Sequence, residues 1–490
     1  MARTMTNNFG LAYAEETTFG TVPTTGWRTL QPNSLGTMGR TITTVARDPI
    51  SKERQREKGT ITDLDSAVEF EADLTREDFV NFCEGFTFAD KTSGPSDYSV
   101  FDSNGANAVN GTPSSFTIAA DVAWQENTLL FGSGYANAAN NGLHVVGTGS
   151  STISINVGST LVTETAPTGA NLEVCGVRAT DIAIAAATSY TASTGFTLTT
   201  GGDINWTVTG LTAGQFVYIV GATSGYARIK SITATTLTLD KKGSSILDES
   251  SGSAISVYYG PYIRNVDVDD AAYNERSYSF EGSYTDLGGV GTDEYEYAKG
   301  NFCNSMAINM PLADKATVTW GFIGTDTDDP TTTRVGGASS ALAPSQTTAF
   351  NTSSDFARLR ITETDESGLT TDFKDMTLTV NNNVSPEKVL DNLGAKYMNT
   401  GNFDVDISTT VLFSNSDVVD AIRANTTVTM EVGLFNDDGG MILDIPEMTI
   451  GDGTKDFPVN ESIAMSLTCM AHKDETYGIS LGISQFPYLP

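Results

Sequence analysis

Residues 68–86, VEFEADLTREDFVNFCEGF, and residues 407–425, ISTTVLFSNSDVVDAIRAN, carry one pattern twice, 339 positions apart: an alternating strand followed by a short helix. An internal repeat constrains a fold more than composition does, because each copy has the same apolar face to bury. Thr75 with Asp78, and Ser414 with Asp417, form S/T-x-x-D pairs that predict a capped helix start at the same place in both copies. Beyond them Phe79, Val80, Phe82 and Cys83 align with Val418, Val419, Ala421 and Ile422, one apolar face at helical spacing. Gly85 and Asn425 are the expected stops.

Flanking matches extend the repeat. ISKER at Ile50 resembles VSPEK at Val384, and NSMAINM at Asn304 parallels ESIAMSL at Glu461, the last two with the period-two alternation of half-buried strands. A second repeat fills residues 95–265. There SFTIAADV at Ser115 matches GFTLTTGG at Gly195, NNGLHVV at Asn140 matches TSGYARI at Thr223, STISI at Ser151 matches TTLTL at Thr235, and ANLEV at Ala170 matches SAISV at Ser253. Short β-rich runs between Gly, Asn and Ser turns predict two small β-modules inserted into the first copy. The stretch from Gly324 to Phe356, rich in Thr, Ser, Pro, Gly and Ala and without periodicity, reads as a linker. The expected architecture is all-β dominated with short helices. A first domain spans 1–94 and 266–325, the paired inserts 95–265, the linker 326–354 and a second domain 355–490.

At 490 residues the chain has room for roughly three packing units. Its formal charge of −32 argues against passive affinity for nucleic acid or anionic membrane. The amino terminus lacks the apolar stretch of a secretory signal and no window is long and apolar enough to span a bilayer, so the expectation is a protein made and kept in a cytosol. Cys83, Cys175, Cys303 and Cys469 lie far apart with no CxxC, which predicts buried thiols rather than a disulfide framework or a zinc site. His144 and His472 are the only histidines, and no GxxxxGK[ST], HExxH or GxSxG sequence is present. Acid-rich turns at Val266, Thr325 and Phe435 miss the EF-hand spacing. The expectation is no enzyme, no metal and no cofactor. Trp124 and Trp206 in the insert read as module core, with a glycan platform as the alternative.

LAYAEETTFGTVPTTGWRTLQPNS from Leu11, the RDPISKERQREKG loop, the strand-helix unit from Val68, RSYSFEGSYTDLGGVGTDEYEYAKGNFCNSMAINMPLADKATVTWGFIGT from Arg276, and DMTLTVNNNVSPEKVLDNLGAKYMNTGNFDVDISTTVLF from Asp375 together resemble the tail tube (major tail) proteins of long-tailed bacteriophages. The resemblance covers the terminal portions and not the insert. It implies two tail-tube-type β-sandwich or barrel domains, each with one flanking helix, in a structural virion protein that self-assembles. It further implies stacked rings around a hollow bore, a tape-measure protein that sets length, tail-end and tail-tip partners, and genomic DNA passing transiently without specific binding. Assembly would take place in the host cytoplasm. Two domains per chain imply a pseudo-sixfold ring of three chains, with a ring of six as the alternative. Two rivals from other classes are a virion or cell-surface adhesin binding carbohydrate or receptor through the inserts, and a hydrolase using paired carboxylates.

Charge is unevenly placed. Residues 91–265 hold 11 acidic and 7 basic side chains, a net of −4, so the other 315 residues carry −28. Glu69, Glu71 and Asp73 alternate with Val68, Phe70, Ala72 and Leu74, and Asp404 and Asp406 alternate with Phe403, Val405 and Ile407, which puts these carboxylates on one strand face. They are the candidates for lining the bore, where repulsion would keep phosphates off the wall. An ordinary solvated outer face is the alternative. Arg40, Arg47, Lys52, Arg54, Arg56 and Lys58 concentrate six of the 28 basic residues in 19 positions, tempered by Asp48, Glu53 and Glu57. In the resembling family this loop reaches an adjacent ring, which makes these residues candidates for setting stacking register. A solvated loop is the plainer reading.

Overall fold

A computed structural model describes residues 5–48, 50, 52, 55, 57–92, 108–117, 124–150, 154–167, 170–185, 196–202, 204–221, 224–240, 249–285, 292–344, 347–362, 368–370, 372–414 and 416–490. The elements used below begin with β1 (Phe9–Glu15), β2 (Ser34–Val45), β3 (Thr60–Asp73) and α1 (Arg76–Thr87). The next group is β4 (Ser114–Thr117), β5 (Thr128–Ser133), β6 (Gly142–Val145), β7 (Ser154–Asn156) and β8 (Asn171–Ala185). It continues with β9 (Phe196–Thr200), β10 (Phe216–Val220), β11 (Ser224–Ile232), β12 (Thr236–Asp240), β13 (Glu249–Tyr258) and β14 (Tyr262–Arg264). Then come β15 (Ser277–Tyr284), β16 (Glu294–Met310), β17 (Thr317–Gly324), β18 (Phe356–Thr362), β19 (Phe373–Asn381) and β20 (Asp404–Leu412). The last are α2 (Asp417–Ala424), β21 (Thr427–Asn436), β22 (Gly439–Asp456), β23 (Ala464–Ala471) and β24 (Gly482–Phe486). Strands dominate and α-helices are two among the described residues, so the fold is all-β dominated.

The chain divides into two compact units. Unit 1 comprises 1–89, 266–353 and 374–410; unit 2 comprises 90–265, 354–373 and 411–490. Residues 374–410, expected in the second domain, therefore group with unit 1.

In unit 1 the antiparallel ladders run β2–β3–β17–β16–β19. The 17-residue β16 also pairs through its first half with β15, which pairs with β1, so one strand serves both sheets. Alternation in β3 turns Leu64, Val68 and Phe70 inward, and α1 adds Phe79, Phe82 and Phe86 at helical spacing. These rings meet Tyr278, Phe280, Trp320 and Phe322 in one aromatic core. Thr75 caps α1 as expected, its hydroxyl accepting from the Asp78 backbone N–H at 3.3 Å. Gly85 is not the stop. The helix runs on to Thr87 and closes on Phe88 in the left-handed region, and Gly85 is small because a Cβ there would stand 2.6 Å from the Tyr278 hydroxyl and 2.8 Å from Cys303 Sγ. The Thr- and Ser-rich segment 326–353 is packed into this unit, with Ala338 and Phe350 buried and Arg334 paired to buried Glu281.

In unit 2 the six strands β8–β9–β12–β11–β10–β13 return to β8 and close a barrel. Closure removes the open edges that such short strands would otherwise expose. Trp206, Leu198, Ile219, Ile229, Leu239 and Val257 fill its core, and Trp124 packs against it, so the core reading of both tryptophans holds. Before the barrel, β4 pairs with β7, Val146 bridges Val157, β6 pairs with β5, and β5 pairs with β8. The barrel repeats that order as β9–β12, β12–β11, β11–β10 and β10–β13. The remainder of the unit is β18–β21–β22, with β23 and β24 along the other edge of β22 and β14 beside β24. Helix α2 packs on β22 as α1 packs on β16. Asn425 ends α2 in the left-handed region, as expected, but Ser414 is not its cap: the helix starts at Asp417 after Ser416, with no side-chain capping bond. All four cysteines are free and buried.

Candidate functional site: an acidic sheet face and a basic loop

The strand pattern that buries Val68 and Phe70 leaves Glu69 exposed and Glu71 and Asp73 half-buried on the opposite face of β3. Asp404 and Asp406 are likewise exposed while Val405 and Ile407 are buried. Register fixes the neighbours of the β3 carboxylates. Glu71 lies beside Thr319 and Ser34, Glu69 beside Gly321 and Thr37, and Asp73 beside Thr317. Further along the same ladders come Ala307 and Asn309 of β16 and Thr377 and Thr379 of β19. The strands thus present small polar and acidic side chains on this face, with no lysine or arginine among those named.

Two acids of the same face escaped the sequence reading. Asp63 and Asp65 continue the odd-numbered row of β3 toward its start, and the same alternation that marked Glu69 was the available signal. Two lysines from outside the strand temper the row. Lys388 Nζ reaches Asp63 at 2.5 Å and Asp65 at 2.6 Å, and holds the Asp63 carboxyl below the usual carboxylate range. Lys315 Nζ pairs with Asp73 at 2.6 Å, and Asn33 also donates to Asp73. Asp404 accepts from Asn383 Nδ2 at 2.7 Å. The uncompensated charge of the candidate face is therefore carried by Glu69, Glu71 and Asp406 more than by Asp73.

The basic candidates separate. Arg40 lies within β2 and spends its guanidinium on Asp329 and on the Thr327 carbonyl at 2.7 Å. Arg47 makes an exposed pair with Glu57 at 3.4 Å, and Lys52 and Lys58 are exposed. Arg54 and Arg56 lie outside the described residues. Between Arg47 and Lys52 the loop carries Ile50, a fully exposed aliphatic side chain. The two histidines are apart in function as in sequence: His144 is buried against Ser159 and the Asn140 carbonyl, and burial lowers its basicity, while His472 pairs with Glu447 at 3.4 Å. Among the described residues no group of three or more His, Cys, Asp or Glu is placed to hold a metal ion, and no helix is long and apolar enough to cross a membrane.

Long antiparallel strands with a solvent-facing row of carboxylates are what these residues offer at the surface. The chain matches the model of the phage tail tube protein family over residues 6–471, nearly its whole length, and belongs to that family. With membership go a structural role in the virion tail and self-association into a tube. Among curated proteins there is no significant match.

Proposed function

We propose that the chain is a duplicated tube subunit, three copies of which close a pseudo-sixfold ring that stacks into a conduit for genomic DNA. The supporting observation is a recurrence of ladders. In the first set β1 pairs with β15, β15 with β16 and β16 with β17. In the second, β18 pairs with β21, β21 with β22 and β22 with β23. Each set is preceded by a strand and a helix, β3–α1 and β20–α2, and each helix lies on the long strand of its own set. The sequence match of Asn304 with Glu461 is displaced by one element in this correspondence, since β16 answers to β22 and β17 to β23.

In this reading the edges for ring closure follow from the correspondence. Beyond β15, the open side of β16 is taken by β19, from Ser305 with Asn381 to Met310 with Met376. The equivalent side of β22, beyond the end of β21 at Thr449, has no ladder among the described residues over 450–456. The outer edge of β2, whose ladder is with β3, is the counterpart of β19 and is likewise unladdered among the described residues. In the proposed ring the 450–456 edge of one chain pairs with β2 of the next, copying the pairing that β16 and β19 make within one chain. The acidic face then lines the bore, and the loop bearing Ile50, Arg47, Lys52, Arg54, Arg56 and Lys58 docks on the adjacent ring with tape-measure and tail-end proteins completing the tail.

Single cysteines placed along 452–456 and along 34–40 test the closure, because the native thiols are buried. Under oxidation, assembled material should give linear ladders ending at a covalently closed trimer, and negative-stain images should show hollow stacked rings. Strictly monomeric protein at high concentration, with no crosslink between these edges, overturns the reading. Stacking that survives high salt and replacement of the loop cations overturns the docking of the loop.

A further inference from the structure

Among the described residues β2 has a ladder on one side only, with β3, yet it carries the side chains of an interior strand. Leu35, Met38 and Ile42 stand opposite Phe70, Val68 and Leu64 of β3 and share their face of the sheet, the face on which Phe70 meets Phe82 of α1. The β3 residues are buried, whereas Leu35 is 37 % exposed, Ile42 is 42 % exposed and Met38 is half-buried. An edge strand that stays in water is ordinarily short or blunted by lysine, proline or charge. β2 is 12 residues long and has neither lysine nor proline. Its one charge, Arg40, turns its guanidinium onto Asp329 and the Thr327 carbonyl, and the aliphatic groups on either side of it are left to solvent.

The repeat supplies the comparison. Phe70 of β3 matches Thr409 of β20 in sequence. Leu35 lies opposite Phe70, and Thr409 donates from its hydroxyl to the Asp375 carbonyl at 2.6 Å, so Met376 and Leu378 of β19 answer to Leu35 and Met38 of β2. Unlike β2, β19 has a long strand along its outer edge: Met376 pairs with Met310 of β16, Leu378 with Ile308 and Val380 with Met306. There Met376, Leu378 and Val380 are 2 %, 0 % and 0 % exposed. Equivalent positions are thus core where a strand lies alongside and surface where none does. The helices differ in the same way. Cys83 of α1 is buried, and Ile422, its match on α2, is half-buried above the 450–456 edge, where a Cβ on Gly453 would stand 2.9 Å from Ile422 Cδ1.

We propose that Leu35, Met38 and Ile42 are half of a hydrophobic core that a second copy of this chain completes, with Ile422 and the strand beneath it as the other half. The inference rests on the ring reading above and adds what fixes the pairing. A backbone ladder alone admits several registers, but a slip of one residue would turn the aliphatic row onto the acidic face and the threonines Thr37, Thr41 and Thr43 onto the core. Burial of the row therefore selects the register in which neighbouring chains join.

The test is tube assembly by the full chain, wild type against Leu35→Thr with Ile42→Thr, which keeps strand-forming residues and removes the aliphatic row. The critical concentration for assembly should rise by about tenfold or more, while the unfolding midpoint of the unassembled chain stays where it was because both side chains are exposed there. Assembly of the variant at the wild-type concentration overturns the shared core and leaves the ring standing. Absence of closed trimers from the cysteine pairs at 452–456 and 34–40 overturns the ring and the shared core with it. A labelling measurement requires no loss of assembly, since the native thiols are buried. Ile42→Cys should react with a maleimide in the unassembled chain and lose that reactivity in tubes; equal rates in the two states also overturn the proposal.

Discussion

At the residue scale, the family-like opening LAYAEETTFG has a physical explanation in Glu16. Its buried carboxylate accepts from Gly20 N at 2.8 Å, Ser277 Oγ at 2.7 Å, Ser279 Oγ at 2.6 Å and Gly300 N at 2.8 Å, tying the end of β1 to β15 and β16. Glu16→Ala would strand four donors, and a loss of about 2–4 kcal/mol is expected in denaturant unfolding of unit 1. Glu16→Gln should recover only part of it, because an amide turns one acceptor into a donor facing donors. None of this was legible beforehand. The sequence shows two adjacent glutamates, Glu15 and Glu16, and only the fold says that one is a surface partner of Arg276 and the other an internal clasp. The acidic row of β3 was legible because alternation alone places it. Its neutralisation by Lys388 and Lys315 was not, since those lysines arrive from 242 to 325 residues away along the chain.

At the element scale, what could be read was local. The Thr75 cap lies three residues from the backbone N–H that donates to it and the strand before α1 announces itself by period two, so β3–α1 is visible in the sequence. The same logic overreached at Ser414, where the matching S/T-x-x-D spelling does not cap α2. Thr75→Ala should therefore cost about 1 kcal/mol, and Ser414→Ala should leave the unfolding midpoint unmoved, with Asp420 and the sheet contact of α2 untouched in both. The misplaced match between Asn304 and Glu461 has a related cause. Alternation repeats every two residues and carries no ruler for strand length, so half of the long β16 looks like the whole of β23. Barrel closure by β8 and β9 was equally invisible: the insert repeat was read as two modules, but nothing in either copy says that β8, from the first, supplies the last wall of the second.

At the scale of the molecule, the charge of −32 is spent mostly outside the insert, and in the proposed bore its effect on DNA would be set by range. Screening confines repulsion to about 8 Å in physiological salt, so an acidic wall acts on phosphates that touch it and not on those at the centre of a wide bore. Exposed charge interactions of about 0.2–1 kcal/mol translate into roughly 1.5- to 5-fold changes in a rate limited by wall contact. If the proposed lining is right, replacing Glu69, Glu71, Asp404 and Asp406 by amides in virions should therefore slow DNA release by that factor at low salt, and by less as salt rises. Adding Asp73→Asn should change little more, because Lys315 already answers that carboxylate. Time-resolved dye labelling of released DNA measures both. Unchanged release in the quadruple variant, at every salt concentration and with tubes of normal length, would place this face on the solvated outside of the tube and leave the lining of the bore to other strands.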